Sequence, residues 1–284
     1  QVVQGAAVVT VVLNFVALWK QEPRNPPRGA RPTQPDPSFT ECWQRFCQGS
    51  DAVRRLVIVG LGTIGFGMAD IVLEPYGGEV LGLSVSATTK LTALLAFGGL
   101  MGFAFAWFRM ARGGHAYRVT QLGTVLGVPA FGLVIVAAPF DMPSLFLLGN
   151  LMIGFSGALF WHGTLTATMS LAPKDQAGLA LGAWGAVQAT AAGVAMSLSG
   201  ILRDAVQYMV EGSAPVLGIA TAATGYMAVY AVEIALLLIT IAATFPLLRR
   251  VADGQRSDTR AAGEVAHAEM AIAHPAKHGG DSHR

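Results

Sequence analysis

Ala69-Asp70-Ile71-Val72-Leu73-Glu74-Pro75-Tyr76-Gly77-Gly78-Glu79-Val80-Leu81-Gly82 follows one apolar run and precedes another, Leu91 to Met110. Carboxylates, a proline and a Gly-Gly pair thus fall where one membrane helix is expected to end and the next to begin. Pro75 lacks an N–H and clashes with the preceding turn, so it predicts a helix break. Gly77-Gly78 admits backbone angles that other residues avoid, completing a predicted turn over Pro75, Tyr76, Gly77 and Gly78. Asp70 and Glu74 are four apart and share a helix face near that end. A carboxylate in or at the rim of a membrane helix is costly, which makes both candidates for a proton or ligand site. The structural alternative is a cap on the glycine turn, or pairing with Lys90 or Arg203.

The rest of the chain supports a membrane setting. Of 284 residues, 53% are hydrophobic and 13% charged, where a soluble domain carries roughly 25% charge. Several apolar runs reach the roughly 20 residues that span a bilayer. They are too long for barrel strands, so the expected class is all-α, a polytopic transmembrane helix bundle. Val2 to Trp19 makes a first span. Six more are expected at Leu56–Leu73, Thr89–Phe108, Val119–Ala137, Leu145–Leu171, Ala177–Leu202 and Thr224–Leu248. Residues 20–55 read as a proline-rich linker. Within it Phe39, Cys42, Trp43, Phe46 and Cys47 recur at helical spacing, as in a short helix lying on the membrane surface or packed on the bundle. Residues 249–284 read as a disordered polar tail.

Charge sets the orientation. The linker, the loop Arg109–Arg118, residues 172–176 and the tail hold 17 of the 19 Lys and Arg. The positive-inside rule therefore puts linker and tail in the cytoplasm. Gly98/Gly102, Gly123/Gly127 and Gly178/Gly182 are each four apart, a spacing that lets helix backbones approach, chiefly within the bundle.

Two further polar features lie inside spans. Phe160-Trp161-His162-Gly163-Thr164 sits mid-helix. A neutral imidazole can ligate a magnesium, with its second nitrogen held by an acceptor. Phe160 and Trp161 would pack on a flat ring, and Gly157 and Gly163 would leave room for it. The alternative is a histidine hydrogen-bonded to a neighbouring helix near Thr164 or Thr166. Glu233 is a lone carboxyl in an apolar run, expected protonated or paired with a Thr, Tyr or other partner. Gln188 and Asn150 are milder candidates.

No enzyme signature is present: no Walker loop, no H-E-x-x-H, no Gly-x-Ser-x-Gly. Gly60-Leu61-Gly62-Thr63-Ile64-Gly65 fits G-x-G-x-x-G but lies inside a predicted span, where it serves packing. Cys42 and Cys47 alone make neither a zinc site nor, in a reducing compartment, a stable disulfide. The tail histidines, His267, His274, His278 and His283, match no metal-site spacing.

The run from Ala69 to Gly102, above all Asp70-Ile71-Val72-Leu73-Glu74-Pro75-Tyr76-Gly77-Gly78, resembles the PucC/LhaA family of phototrophic bacteria. The resemblance implies a major-facilitator-like architecture, of which one helix, a long linker, six helices and a tail would be the second half. The first span would then be the sixth of twelve. The basic glycine-containing loop Arg109–Arg118 loosely matches the facilitator loop between second and third helices, without its usual aspartate. The resemblance further implies a non-enzymatic assembly factor for light-harvesting complexes in the photosynthetic intracytoplasmic part of the bacterial inner membrane. Its cofactor would be bacteriochlorophyll, ligated at His162. Its partners would be antenna polypeptides, the reaction-centre core complex as a further candidate, and membrane lipids; nucleic acid is not expected. The competing expectation is a proton-coupled secondary transporter using Asp70, Glu74, Glu233 or His162.

Overall fold

The computed structural model describes residues 2–18, 38–48, 51–171, 177–210 and 221–273. Those residues are all helix and connecting turns, with no strand. The chain divides into two compact units, Gln1–Cys42 and Trp43–Arg284. In the first, α1 (Val2–Leu18) is a 17-residue apolar helix whose side chains from Val8 to Val16 are all exposed. The short α2 (Phe39–Gln48) forms where the Phe/Trp/Cys periodicity predicts it and buries no residue. Residues 20–37 and 49–50 of the expected linker lie outside the described residues.

The second unit holds six helices long and apolar enough to cross a membrane. The first is built from α3 (Ala52–Gly67) and α4 (Ala69–Glu79). It is followed by α5 (Val85–Ala111), α6 (Ala116–Ala137), α7 (Pro143–Leu171), α8 (Ala177–Val210) and α9 (Thr221–Ala273). The protein is a polytopic membrane helix bundle. Ser84 caps α5, its Oγ accepting from the Ala87 N–H at 3.3 Å. Helix α7 packs between α5 and α6, while α3 packs on α8 and α9.

The predicted turn at Pro75-Tyr76-Gly77-Gly78 is not a turn. α4 runs through Pro75 and ends at Glu79, and the chain reverses at 80–84 with Gly82 in the left-handed region (φ 62°). The interruption lies earlier, at Met68 between α3 and α4. Packing explains why α4 continues. Tyr76 is fully buried, its hydroxyl donates to the Val134 carbonyl at 3.0 Å, and its ring meets Phe146, Tyr226 and Tyr230 at 5.4 to 5.5 Å. These contacts hold the turn after Pro75 helical despite the missing N–H.

Two other expectations change. The chain remains helical past Leu248 to Ala273, where disorder was expected; residues 255–273 are rich in Ala, Glu and Arg, which favour helix. Of the glycine pairs, Gly98 and Gly102 meet the α7 backbone at Leu151 and Phe155, and Gly123 and Gly127 meet Phe160, Phe66 and Leu237. Gly178 and Gly182 meet nothing within 4 Å. The Gly60–Gly65 run is helical, with Gly62 against Phe160 and Gly65 against Leu237.

Candidate functional site: an apolar groove with a carboxylate at one end

At Met68, where α3 meets α4, the backbone angles stay helical (φ −65°, ψ −32°) and the N–H still donates to the Ile64 carbonyl at 3.2 Å. Ser199 of α8 donates to the Met68 carbonyl at 2.7 Å. Glu233 of α9 lies by the same place, with the Ala69 backbone and Asp70 among its polar neighbours. It is fully buried, and neither carboxyl oxygen has a hydrogen-bond partner among the described residues. It pairs with none of the Thr or Tyr partners considered for it. The neighbouring Tyr230 hydroxyl is likewise buried and unbonded.

Next along α4 stands Asp70. It is exposed, forms no ion pair or hydrogen bond among the described residues, and lines a groove of about 410 Å³. The groove lies between α3–α4, α5 and α7, and its walls are apolar: Phe66, Leu95, Gly99, Phe103 and Trp161 among them. Thr92 is its other polar lining residue near Asp70, and its hydroxyl donates to Glu74. Glu74 is therefore held by a neutral donor. Arg203, considered as a partner for Asp70 or Glu74, instead pairs with Glu79 at 2.7 Å, and the Tyr226 hydroxyl donates to the same Glu79 oxygen at 2.6 Å.

The Phe160-Trp161-His162 run is split by its helix. Phe160 is fully buried, 5.6 Å from the Phe66 ring and over Gly62, while His162 is half-buried with its ring edge-on to Phe103 at 6.0 Å. Successive helical residues turn by about 100°, so Phe160 and His162 leave opposite sides of α7. Phe160 is thus removed from any site at His162. Nor do the glycines leave space. A Cβ on Gly163 would lie 2.7 Å from the Thr120 backbone nitrogen, and Gly157 is covered by the Trp161 ring itself. Trp161 lines the groove, and its indole N–H is buried without an acceptor.

Among the described residues His162 makes no hydrogen bond, and Thr164 is engaged elsewhere, donating to the Trp161 carbonyl and accepting from Trp184. The imidazole is thus free to ligate a magnesium, with Phe103 and Trp161 nearby, but no described residue supplies the acceptor expected for its second nitrogen. Asn150, flagged from the sequence, is satisfied by the Leu91 carbonyl at 2.7 Å and ties α7 to α5. Gln188 is half-buried and away from the groove lining. Cys42 and Cys47 are not joined in a disulfide. Among the described residues no His, Cys, Asp and Glu cluster suits a metal ion; His274, His278 and His283 lie outside them.

The fold defines a multi-pass membrane protein, with an apolar groove among its spanning helices. A family model described as PUCC protein matches residues 1–252, and the chain belongs to that family. Protein PucC of Cereibacter sphaeroides (strain ATCC 17023) is 48% identical over 256 residues, covering 90% of this chain and 54% of that protein. Protein PucC of Rhodovulum sulfidophilum is 51% identical over 209 residues, covering 73% and 46%. Protein PucC of Rhodobacter capsulatus is 43% identical over 255 residues, covering 88% and 54%. The chain spans about half the length of the curated relatives it matches. No solved structure matches it.

Proposed function

We propose that this chain acts in the assembly of bacteriochlorophyll-containing light-harvesting complexes, handling pigment, antenna polypeptides or both, without itself being an enzyme. Membership of the PucC family over residues 1–252 carries this reading. The chain would sit in the bacterial inner membrane with linker and tail cytoplasmic, its partners being antenna polypeptides and the reaction-centre core. The apolar helix surfaces around the groove support a lateral role, in which water-averse cargo stays out of solvent; the pigment ring would lie at His162, beside rather than inside the groove. His162 would hold the pigment magnesium, with Phe103 and Trp161 beside the ring; the bound pigment supplies the light-absorbing macrocycle. Deleting the gene in a phototrophic host and recording the absorption spectrum of its membranes tests the role. The expected result is loss of antenna absorption, restored by the wild-type gene. Unchanged antenna absorption would overturn it.

A proton-coupled transporter is the second reading, favoured by the buried, unpartnered Glu233. Its weakness is that the polar groups do not converge: Glu233 is sealed in the core, Asp70 faces the groove, and Glu74 and Glu79 are occupied. Proton-driven uptake by the purified protein in vesicles, lost in Glu233→Gln, would favour it.

A further inference from the structure

We propose that the α4–α5–α7 groove binds an amphiphile from the bilayer with one slender apolar chain and a hydrogen-bond-donating head, an amine or hydroxyl, which Asp70 receives. This names a ligand chemistry that the assembly reading leaves open, and it holds whether or not antenna complexes depend on the protein.

Three observations converge. The first is depth. Asp70 precedes Glu79, which is engaged by Arg203 and Tyr226 at the end of the span, by nine residues, about 13 Å along a helix. A carboxylate at that depth is costly unless it meets a cation or donor. The second is vacancy of partners on the protein side. Among the described residues no basic group pairs with Asp70: Arg203 is spent on Glu79 and Asp204, and Lys90 forms no ion pair. Thr92 gives its proton to Glu74. The third is shape. From Thr92 to Phe103 the groove follows α5 for about 16 Å, an elongated apolar cleft of about 410 Å³. An extended apolar chain suits that outline, and the single carboxylate selects the sign of the head.

The test uses Trp161, in the groove wall, as reporter. The other four tryptophans, Trp19, Trp43, Trp107 and Trp184, are replaced by Phe, and the full chain is placed in vesicles of a zwitterionic lipid. Brominated alkylamine and brominated alkyl carboxylate of equal chain length are added as quenchers. The expected result is quenching of Trp161 at an about tenfold lower mole fraction of the amine, the scale of one hydrogen bond to a charged group. Asp70→Asn should abolish that preference while leaving basal fluorescence unchanged. Ala96→Phe, at an exposed position in the groove, should block quenching by both. Equal quenching by the two amphiphiles, or a preference that survives Asp70→Asn, would overturn the proposal and leave an ordinary lipid-facing surface. Neither outcome bears on the antenna spectrum of a deletion strain, so the two readings fail separately.

Discussion

The α5–α7 seam and the N-terminal part of α8 carry the same small-residue spacing and use it differently. At Gly98 and Gly102, α5 presses against the α7 backbone so closely that an added Cβ would overlap the Leu151 and Phe155 carbonyls. At Gly178 and Gly182 an added Cβ would meet nothing within 4 Å. Spacing of four puts small residues on one helix face. Whether that face meets a neighbour depends on where the helix stands in the bundle. The seam matters beyond packing, because it also sets the groove: Leu95, Gly99 and Gly154 belong to the same two helices and line it.

Substitutions can break or sharpen this contrast. Gly98→Val should be the most damaging, costing about 3 kcal/mol or more, since backbone rather than a movable side chain is in the way; detergent-solubilised protein should melt far lower or fail to accumulate. Glu233→Met should act in the opposite direction. Replacing a buried, unbonded carboxyl with an apolar side chain of similar size should raise stability by about 1 to 3 kcal/mol. A lower melting temperature would show instead that Glu233 has a partner beyond this chain. Tyr76→Phe keeps the ring packing and removes one hydrogen bond, so a loss of about 1 kcal/mol is expected in the same melting assay. A much larger loss would make the Val134 bond, rather than the aromatic cluster, the reason α4 passes Pro75. Gly182→Val should change stability by less than about 0.5 kcal/mol. A large effect there would reveal a partner surface on α8.

The candidate site was legible in parts. Asp70 and Glu233 stood out because a carboxyl in an apolar run is conspicuous at any register. That Asp70 faces a groove and Glu233 the core was not legible, since both follow from how α4 meets α9. The separation of Phe160 from His162 was within reach of the sequence: residues two apart on a helix diverge, and that geometry argued against a shared ring contact. Phe103, the side chain that does meet His162, had no local signal, because it comes from another helix 59 residues away.

By itself the sequence determined the class, the approximate spans of the six long helices and the family, because apolar length, charge placement and a long motif are properties of the chain alone. The tertiary structure decided which glycines are indispensable, that Pro75 lies inside a helix and Met68 at the interruption, and which carboxylates are engaged. The physical reason is common to all three. Hydrophobic length selects a helix in lipid wherever it occurs, but a clash, a buried ring or an ion pair exists only between two segments, and only the folded bundle brings those segments together.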